Sequence, residues 1–559
     1  MSVSSGRIHA APASIAPGHP SSRHRMWVLL ALLGSLVIYG AGAAPTVLDG
    51  DSAELQTVAL TGGVAHTTGY PIFAMVGWVF THLLPGDPAF RVNLMSSVFG
   101  AACVAQIVVI GLELGFAGPV AFAAAVLYGA GFAFWAAALR AEVYTISTFI
   151  FLLAYWRTLV AFRTGDRGHR LLAAFLLGLS LAGQLSCAPA VGVLGIALAW
   201  DAFRHRGGLR EVWVLPVACL AGCTPYFYTA WADANAVGQD YLRTVVDPAF
   251  FPATGVPDFH FNKEWQRLLW LLIGRNAVPG SQESTSLYAV ARNVYNGGAR
   301  LMLFELGPVA TLLLVPGLKR LWTRRPDEVA RMVPLVVLSQ LFAAHVVAGG
   351  MNAIFMLYAL APLALVAALG LEWAVARWSD RGAAWSRKAV LVPALAVFAM
   401  AVPHALRVWA YEHPIPPGRW QGLGEDSTRP FYLLWRFHDP YEFRDFGRAA
   451  IRAIPESSLV VGTWRDISVL YYYRYVEHSR PDLALHFNGS YPRYLVRVRV
   501  WQEQHDLARR PVVFLTLFPE LSPHIVGADS LDISRGHRLY LFHEPFRGLP
   551  AGDGNVFEQ

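Results

Sequence analysis

The chain has 559 residues, 55% of them hydrophobic and 15% charged, with a formal net charge of +7. A soluble protein carries about 25% charged residues, whereas here apolar runs of about 20 residues, each long enough to cross a bilayer, recur over the first three-quarters of the chain. This is the composition of a polytopic α-helical membrane protein in contact with the lipid bilayer. The basic residues sit in short loops between apolar runs, as the positive-inside rule requires, and no basic stripe interleaves with aromatics, so no nucleic acid is expected as a partner.

Residues 1–25 form a polar arm. The first apolar run, about Trp27 to Ala44, is longer than a signal-peptide core and reads as an uncleaved first span with a cytoplasmic N-terminus. Pro45 to Pro71 then gathers Asp49, Asp51, Glu54 and His66 with a Gly69-Tyr70-Pro71 turn. Asp51 to about Thr61 reads as a short amphipathic helix. The apolar stretch after Pro71 is short and suits an interfacial or re-entrant helix. Further spans are expected at about Arg91–Leu114, Pro119–Leu139, from Val143 to before Arg163, on either side of Gln184 to Pro189, and at Val212–Trp231. A long polar stretch, 232–300, follows. The last spans are expected at about Leu301–Leu318, Val333–Val347, Ile354–Ala374 and from Lys388 to Trp409, making about eleven in a domain of residues 26–410.

Basic segments at the N-terminus, 163–170, 203–210, 319–331 and 377–388 agree with one alternation. Loops 45–90 and 232–300 and everything after about 410 are then extracytoplasmic. Residues 411–559 change character: strands at 456–463, Asp482–Phe487, Pro511–Leu517 and Arg538–His543 alternate with helices at Asp466–Val476 and Tyr491–Leu507, the pattern of a small α/β domain. It has no Gly-x-Gly-x-x-Gly or Walker loop. Four cysteines, Cys103, Cys187, Cys219 and Cys223, lie in apolar runs without metal or redox spacing.

Asp51-Ser-Ala-Glu54 has two local readings. It can be a capping box, with Asp51 capping the helix and Glu54 bonding back. It can also be a pair of functional carboxylates one helical turn apart. Asp49, Asp51 and Glu54 offer hard oxygen ligands to a divalent metal, without a dedicated cage.

Asp51-Ser-Ala-Glu54, His66-Thr-Thr-Gly-Tyr-Pro71, Arg91-Val-Asn93-Leu94, Phe134-Trp135, Glu142-Val-Tyr144 and Arg480-Pro-Asp482 together resemble a bacterial membrane family known as a domain of unknown function, whose animal relative is an endoplasmic-reticulum protein O-mannosyltransferase. The sequence departs from the family pattern at Ala53, at Thr67 and Thr68, and at Gln184. The resemblance implies a GT-C fold and a glycosyltransferase that uses a polyprenyl-phosphate-linked sugar and an extracytoplasmic acceptor, either protein Ser/Thr or an envelope glycan or lipid. Asp51 is then the expected general base, with Glu54 orienting it. Asp49, His66, Tyr70, Asn93, Glu142 and Tyr144 are candidate substrate contacts, and Arg91, Arg140 and Arg300, at outer span ends, are candidate phosphate grips. The composition, rich in Arg and Ala and poor in Lys, suits a bacterial inner membrane. The rival reading is a transporter or flippase of a lipid-linked substrate; transporters place ionisable groups near mid-membrane, often in paired repeats, and neither is visible here.

Overall fold

The computed structural model describes residues 22–206, 209–246, 264–273, 305–324, 336–339, 353–377, 389–412, 439–487, 506, 509–516, 528–534 and 537–542. Helices dominate up to residue 412. In chain order they begin α1 Ser22–Gly42, α2 Gly50–Thr61, α3 Pro71–Leu83, α4 Pro88–Glu113, α5 Gly118–Gly129, α6 Phe132–Ala138, α7 Tyr144–Thr164, α8 Arg167–Gly183, α9 Ala188–Arg206, α10 Leu209–Gly222 and α11 Tyr226–Ala234. Helices Glu264–Ile273, Leu357–Arg377 and Leu391–Glu412 follow. Among the described residues six helices are long and apolar enough to cross a membrane, or seven if the bent pair α5 and α6 is one span. The expected spans at Leu301–Leu318 and Val333–Val347 fall partly or largely outside the described residues.

Helix Leu357–Arg377 is apolar all round and almost wholly buried, as the central helix of a bundle must be. On the periphery, α1 leaves Leu29, Leu33, Val37 and Ile38 exposed, the surface a lipid-facing helix presents. Small residues set the helix spacing. A Cβ at Gly178 of α8 would fall 1.8 Å from the Cys219 carbonyl oxygen of α10, and one at Gly77 of α3 would fall 2.6 Å from Ala59 of α2.

Two expectations need correction. The span at Pro119–Leu139 is not continuous, because α5 and α6 meet at 77°. Buried Glu305 holds the break open by accepting the backbone N–H of Ala133 at 2.7 Å, a carboxylate at the positive end of α6. Nor is α2 amphipathic: Ser52 through Ala59 are all buried, since α2 is covered by α3 and α4 and by a helix from the C-terminal region.

That C-terminal region forms a five-stranded sheet from β1 Leu459–Gly462, β2 Ala484–Phe487, β3 Val512–Thr516, β4 Ala528–Ser534 and β5 His537–Phe542, in the order β2-β1-β3-β5-β4. β1 runs parallel to β2 and β3, and the last two strands are antiparallel. Helices Glu442–Ala453 and Trp464–Tyr475 pack with it. The expected helix at Tyr491–Leu507 lies almost entirely outside the described residues. One buried cluster runs from Ala53, Val64 and Tyr241 into Phe446, Ile467 and Leu470, so the sheet layer shares a core with α2 and the segment after α11.

Candidate active site

The segment between α1 and α3 is built around α2. Asp49, not Asp51, is its N-cap residue, and its carboxylate makes no capping bond. Instead it pairs with Arg465. Glu54 does not bond back to the helix start either. It is fully buried, its Oε1 accepts the backbone N–H of His66 at 2.8 Å, and its Oε2 meets His66 Nδ1. The capping-box reading is therefore overturned, and both carboxylates are free of helix-capping duty.

His66 is strapped over α2 by this bond. Its Nε2 lies 3.9 Å from Asp51 Oδ2 and 3.4 Å from the Tyr70 hydroxyl. Asp51 is 54% exposed, and its Oδ1 accepts the Trp464 indole N–H at 2.7 Å. Three groups thus lie in a row from interior to surface: Glu54, His66, Asp51. Burial acts to lower the His66 pKa, but the carboxylates of Glu54 and Asp51 outweigh it and push the group up to about 10. The histidine is cationic at neutral pH. Burial raises the Glu54 pKa, with His66 acting against it.

The turn behind the histidine follows its sequence. Gly69 takes φ +84°, which a Cβ would strain, and Pro71 opens α3 at its first position. Thr67 and Thr68 are joined by a cis peptide bond. The Tyr70 hydroxyl donates to the Thr67 carbonyl, which fixes the ring beside His66 at a centroid distance of 5.1 Å. On the far side Val64 pairs with Asp240 as an isolated parallel bridge. A Cβ at Gly63 would fall 1.9 Å from the Gln239 carbonyl oxygen, so the segment after α11 lies directly on the one between α2 and α3.

Glu142 and Tyr144 come to the same place from the α6–α7 junction. Glu142 is buried and pairs with Arg140 at 2.8 Å. Burial raises its pKa against the pull of Arg140, and it interacts with both Asp51 and His66.

Asn93 and Arg91 are placed otherwise than the sequence suggests. Asn93 is fully enclosed: its amide donates to the carbonyls of Ala44 and Thr46 and accepts from Gln56 and from Ala141 N–H. It braces the loop from beneath and meets no open surface. Arg91 donates from Nη1 to the carbonyls of Thr81 and of Leu84, the latter at 3.0 Å, and so closes the C-terminal end of α3. Arg300 lies outside the described residues.

Sequence reasoning passed over Trp464, Arg465, Tyr241 and Gln56. For the first two a signal existed: Thr463-Trp-Arg-Asp466 between an expected strand and an expected helix is a capping box, and the structure forms it.

Asp51, Glu54 and His66 could also meet at one cation, since their ligand atoms lie within 4.8 Å of one another. Two hard oxygens and one imidazole suit a divalent ion in kind. Both Glu54 oxygens, however, are already committed to His66, so such an ion would have to break that pair. The arrangement fits the row of charges better than a metal cage.

Residues 51–203 match the family model described as Protein O-mannosyl-transferase TMEM260 N-terminal domain. A mouse protein named Protein O-mannosyl-transferase TMEM260 is 30% identical over 227 residues, 38% of this chain and 32% of the mouse protein. The Dictyostelium discoideum protein of the same name is 36% identical over 77 residues, 13% of this chain and 9% of that protein. The matches thus span a third or less of these relatives' lengths. Among solved structures, ArnT from Cupriavidus metallidurans bound to undecaprenyl phosphate superposes with a TM-score of 0.52 at 10% identity, covering 92% of this chain and 98% of that one; its apo form gives the same TM-score at 12% identity. At that identity the likeness speaks to the fold, which is the GT-C architecture. The chain is accordingly a multi-pass, GT-C-fold membrane protein whose N-terminal third resembles the O-mannosyltransferase family.

Proposed function

We propose that the protein is a membrane glycosyltransferase that moves a sugar from a polyprenyl-phosphate carrier to a hydroxyl acceptor on the extracytoplasmic side, in a bacterial inner membrane. The observation that carries this reading is the row Glu54–His66–Asp51, buried at one end and open at the other. The names of the relatives and the ligand of the ArnT structure agree with it.

In this reading the acceptor oxygen attacks the anomeric carbon as the bond from that carbon to the phosphate oxygen breaks. Polyprenyl phosphate leaves with the electron pair, and the acceptor proton passes to Asp51 Oδ2, the oxygen that Trp464 leaves open. The His66 imidazolium faces the charge developing on the phosphate. Glu54 fixes the ring and keeps it cationic. Arg140 is the second cation we assign to the phosphate, with Glu142 orienting it. Tyr70 and Tyr144 line the sugar.

The test is release of polyprenyl phosphate by the full-length protein in nanodiscs, using a panel of polyprenyl-phosphate sugars with hydroxyl acceptors. Turnover of one donor by wild type, with Asp51→Asn still binding it but inert, supports the reading. Full activity in Asp51→Asn removes the base assignment. Donor movement across the bilayer without cleavage would favour the transporter.

A further inference from the structure

The C-terminal layer meets the candidate site at a particular edge of its sheet. β1 lies between its parallel partners β2 and β3, and the chain leaves its carboxyl end through Thr463 into the helix Trp464–Tyr475. In α/β sheets that edge, with the helix N-terminus beside it, is where ligands and anions bind. Here it receives the molecule's own acids. The first two residues of the helix hold one each: Trp464 donates its indole N–H to Asp51 Oδ1 at 2.7 Å, and Arg465 pairs with Asp49. The Thr463–Asp466 capping box fixes the turn that presents them. The Trp464 ring is held edge-on by Phe487 of β2 at 5.3 Å and by Tyr241 of the segment after α11 at 5.8 Å. His66 stands 6.5 Å away, also edge-on.

From this placement we infer that the α/β layer is part of the catalytic apparatus, with Trp464 the positioning residue for the base. It holds one oxygen of Asp51 and leaves the other to the acceptor. A carboxylate that is half exposed on the first turn of a helix has several rotamers open to it. One charge-assisted hydrogen bond from a ring locked by packing selects among them. Tyr241 makes the same contact depend on the segment after α11, so three parts of the chain far apart in sequence fix one carboxylate.

This inference rests on the assignment of Asp51 as base, and the experiment separates the two. Trp464→Phe keeps the ring and deletes the donor. In the full-length protein in nanodiscs, kcat for polyprenyl phosphate release is expected to fall about tenfold, the effect of one hydrogen bond to a charged group, with KM for the donor and the melting temperature unchanged. In protein carrying 15N-labelled tryptophan, the indole resonance lost in Trp464→Phe identifies Trp464, and that resonance is expected to move in Asp51→Asn. A wild-type kcat in Trp464→Phe while Asp51→Asn is inert overturns the positioning role. So does a loss that tracks a lowered melting temperature, or an indole resonance that Asp51→Asn leaves in place. Full turnover by Asp51→Asn is a different result: it sinks the base assignment, and the positioning role with it, whatever the resonance does.

Discussion

In the loop between α1 and α3 His66 stands between Glu54 and Asp51; in the α/β layer His537 stands between Asp466 and Glu442. The residue types are the same and the settings are opposite. His66 is bonded to a buried carboxylate on one side, while on the other it faces one that is 54% exposed. His537 is fully buried, 3.8 Å from Asp466 and 3.6 Å from Glu442, and stacked on Phe446 at 4.1 Å. Asp466 itself caps the helix that carries Trp464. A histidine between two acids therefore does not define a reactive site. What distinguishes the loop is that its row of charges ends in a carboxylate that is 54% exposed, whereas Glu442, at the end of the row in the sheet layer, is 20% exposed.

The largest effect expected from this contrast is on Asp51. Asp51→Asn should lower kcat for polyprenyl phosphate release by about 100- to 10,000-fold, the range for losing a general base, with donor binding retained. Asp466→Ala is the matched change in the closed cluster. It should lower the melting temperature by several degrees, the effect of about 1 kcal/mol of lost helix cap, and change kcat far less than Asp51→Asn does. Equal kcat losses in the two variants would erase the distinction.

Next comes Glu54. Glu54→Gln keeps the shape and removes the charge that raises the His66 pKa, so kcat should fall about 10- to 100-fold, as for the loss of a hydrogen bond between charged groups. The same pair sets a pH dependence. The His66 pKa is 6.5 when unperturbed and about 10 in the fold. A raised pKa means that the folded state binds the proton more tightly, so this contribution to stability is fully present below pH 6.5 and is lost as pH rises toward 10. Melting curves between pH 6 and 10 should show this decline in wild type and a shallower one in His66→Gln. Parallel curves would mean that the Glu54–His66 pair does not hold the loop.

Much of this site was legible because it is local. Asp51, Glu54 and His66 lie within sixteen residues, and a turn of helix plus a Gly-Tyr-Pro turn is enough to bring them together. Trp464 is 413 positions from Asp51, and nothing in periodicity or spacing records a pairing of that range. The break between α5 and α6 was hidden for the same reason, since Glu305 is 172 positions from the N–H it accepts. Asn93 and Arg91 show a different gap. A polar residue at a span end looks alike whether it faces a ligand or a carbonyl, and both turn out to serve backbone carbonyls. The strands near 460, 485, 514 and 540 were readable because short runs rich in aliphatic or aromatic residues, bounded by turn residues, have few other solutions.

The segment after α11 gives an effect opposite in direction to that of His66→Gln. Asp240 pairs with Val64 through its backbone, and burial, aided by the neighbouring Asp233, raises its pKa from 3.8 to about 7. Above pH 7 the fold must keep it ionised at a cost that the unfolded chain does not bear, and that cost accumulates as pH rises from about 4 to 7. Asp240→Asn should therefore raise the melting temperature at pH 8 more than at pH 5. If the gain is the same at both pH values, Arg243, 3.4 Å away, already neutralises the charge.

The smallest effect belongs to the pair that fastens the sheet layer beside Trp464. Asp49 and Arg465 are 17% and 26% exposed, and partly solvated ion pairs contribute about 1 kcal/mol or less. Arg465→Met keeps the aliphatic stem and removes the charge, so kcat should fall only a few-fold, and raising the salt concentration should weaken the wild type toward the variant while leaving the variant unchanged. The same substitution made together with Trp464→Phe should cost more than the two single losses combined. Either contact alone holds the helix start over α2, and losing both lets the sheet layer drift from the acids. Strict additivity would mean that Trp464 positions Asp51 without help from the ion pair, and that Asp49 belongs to the surface and not to the site.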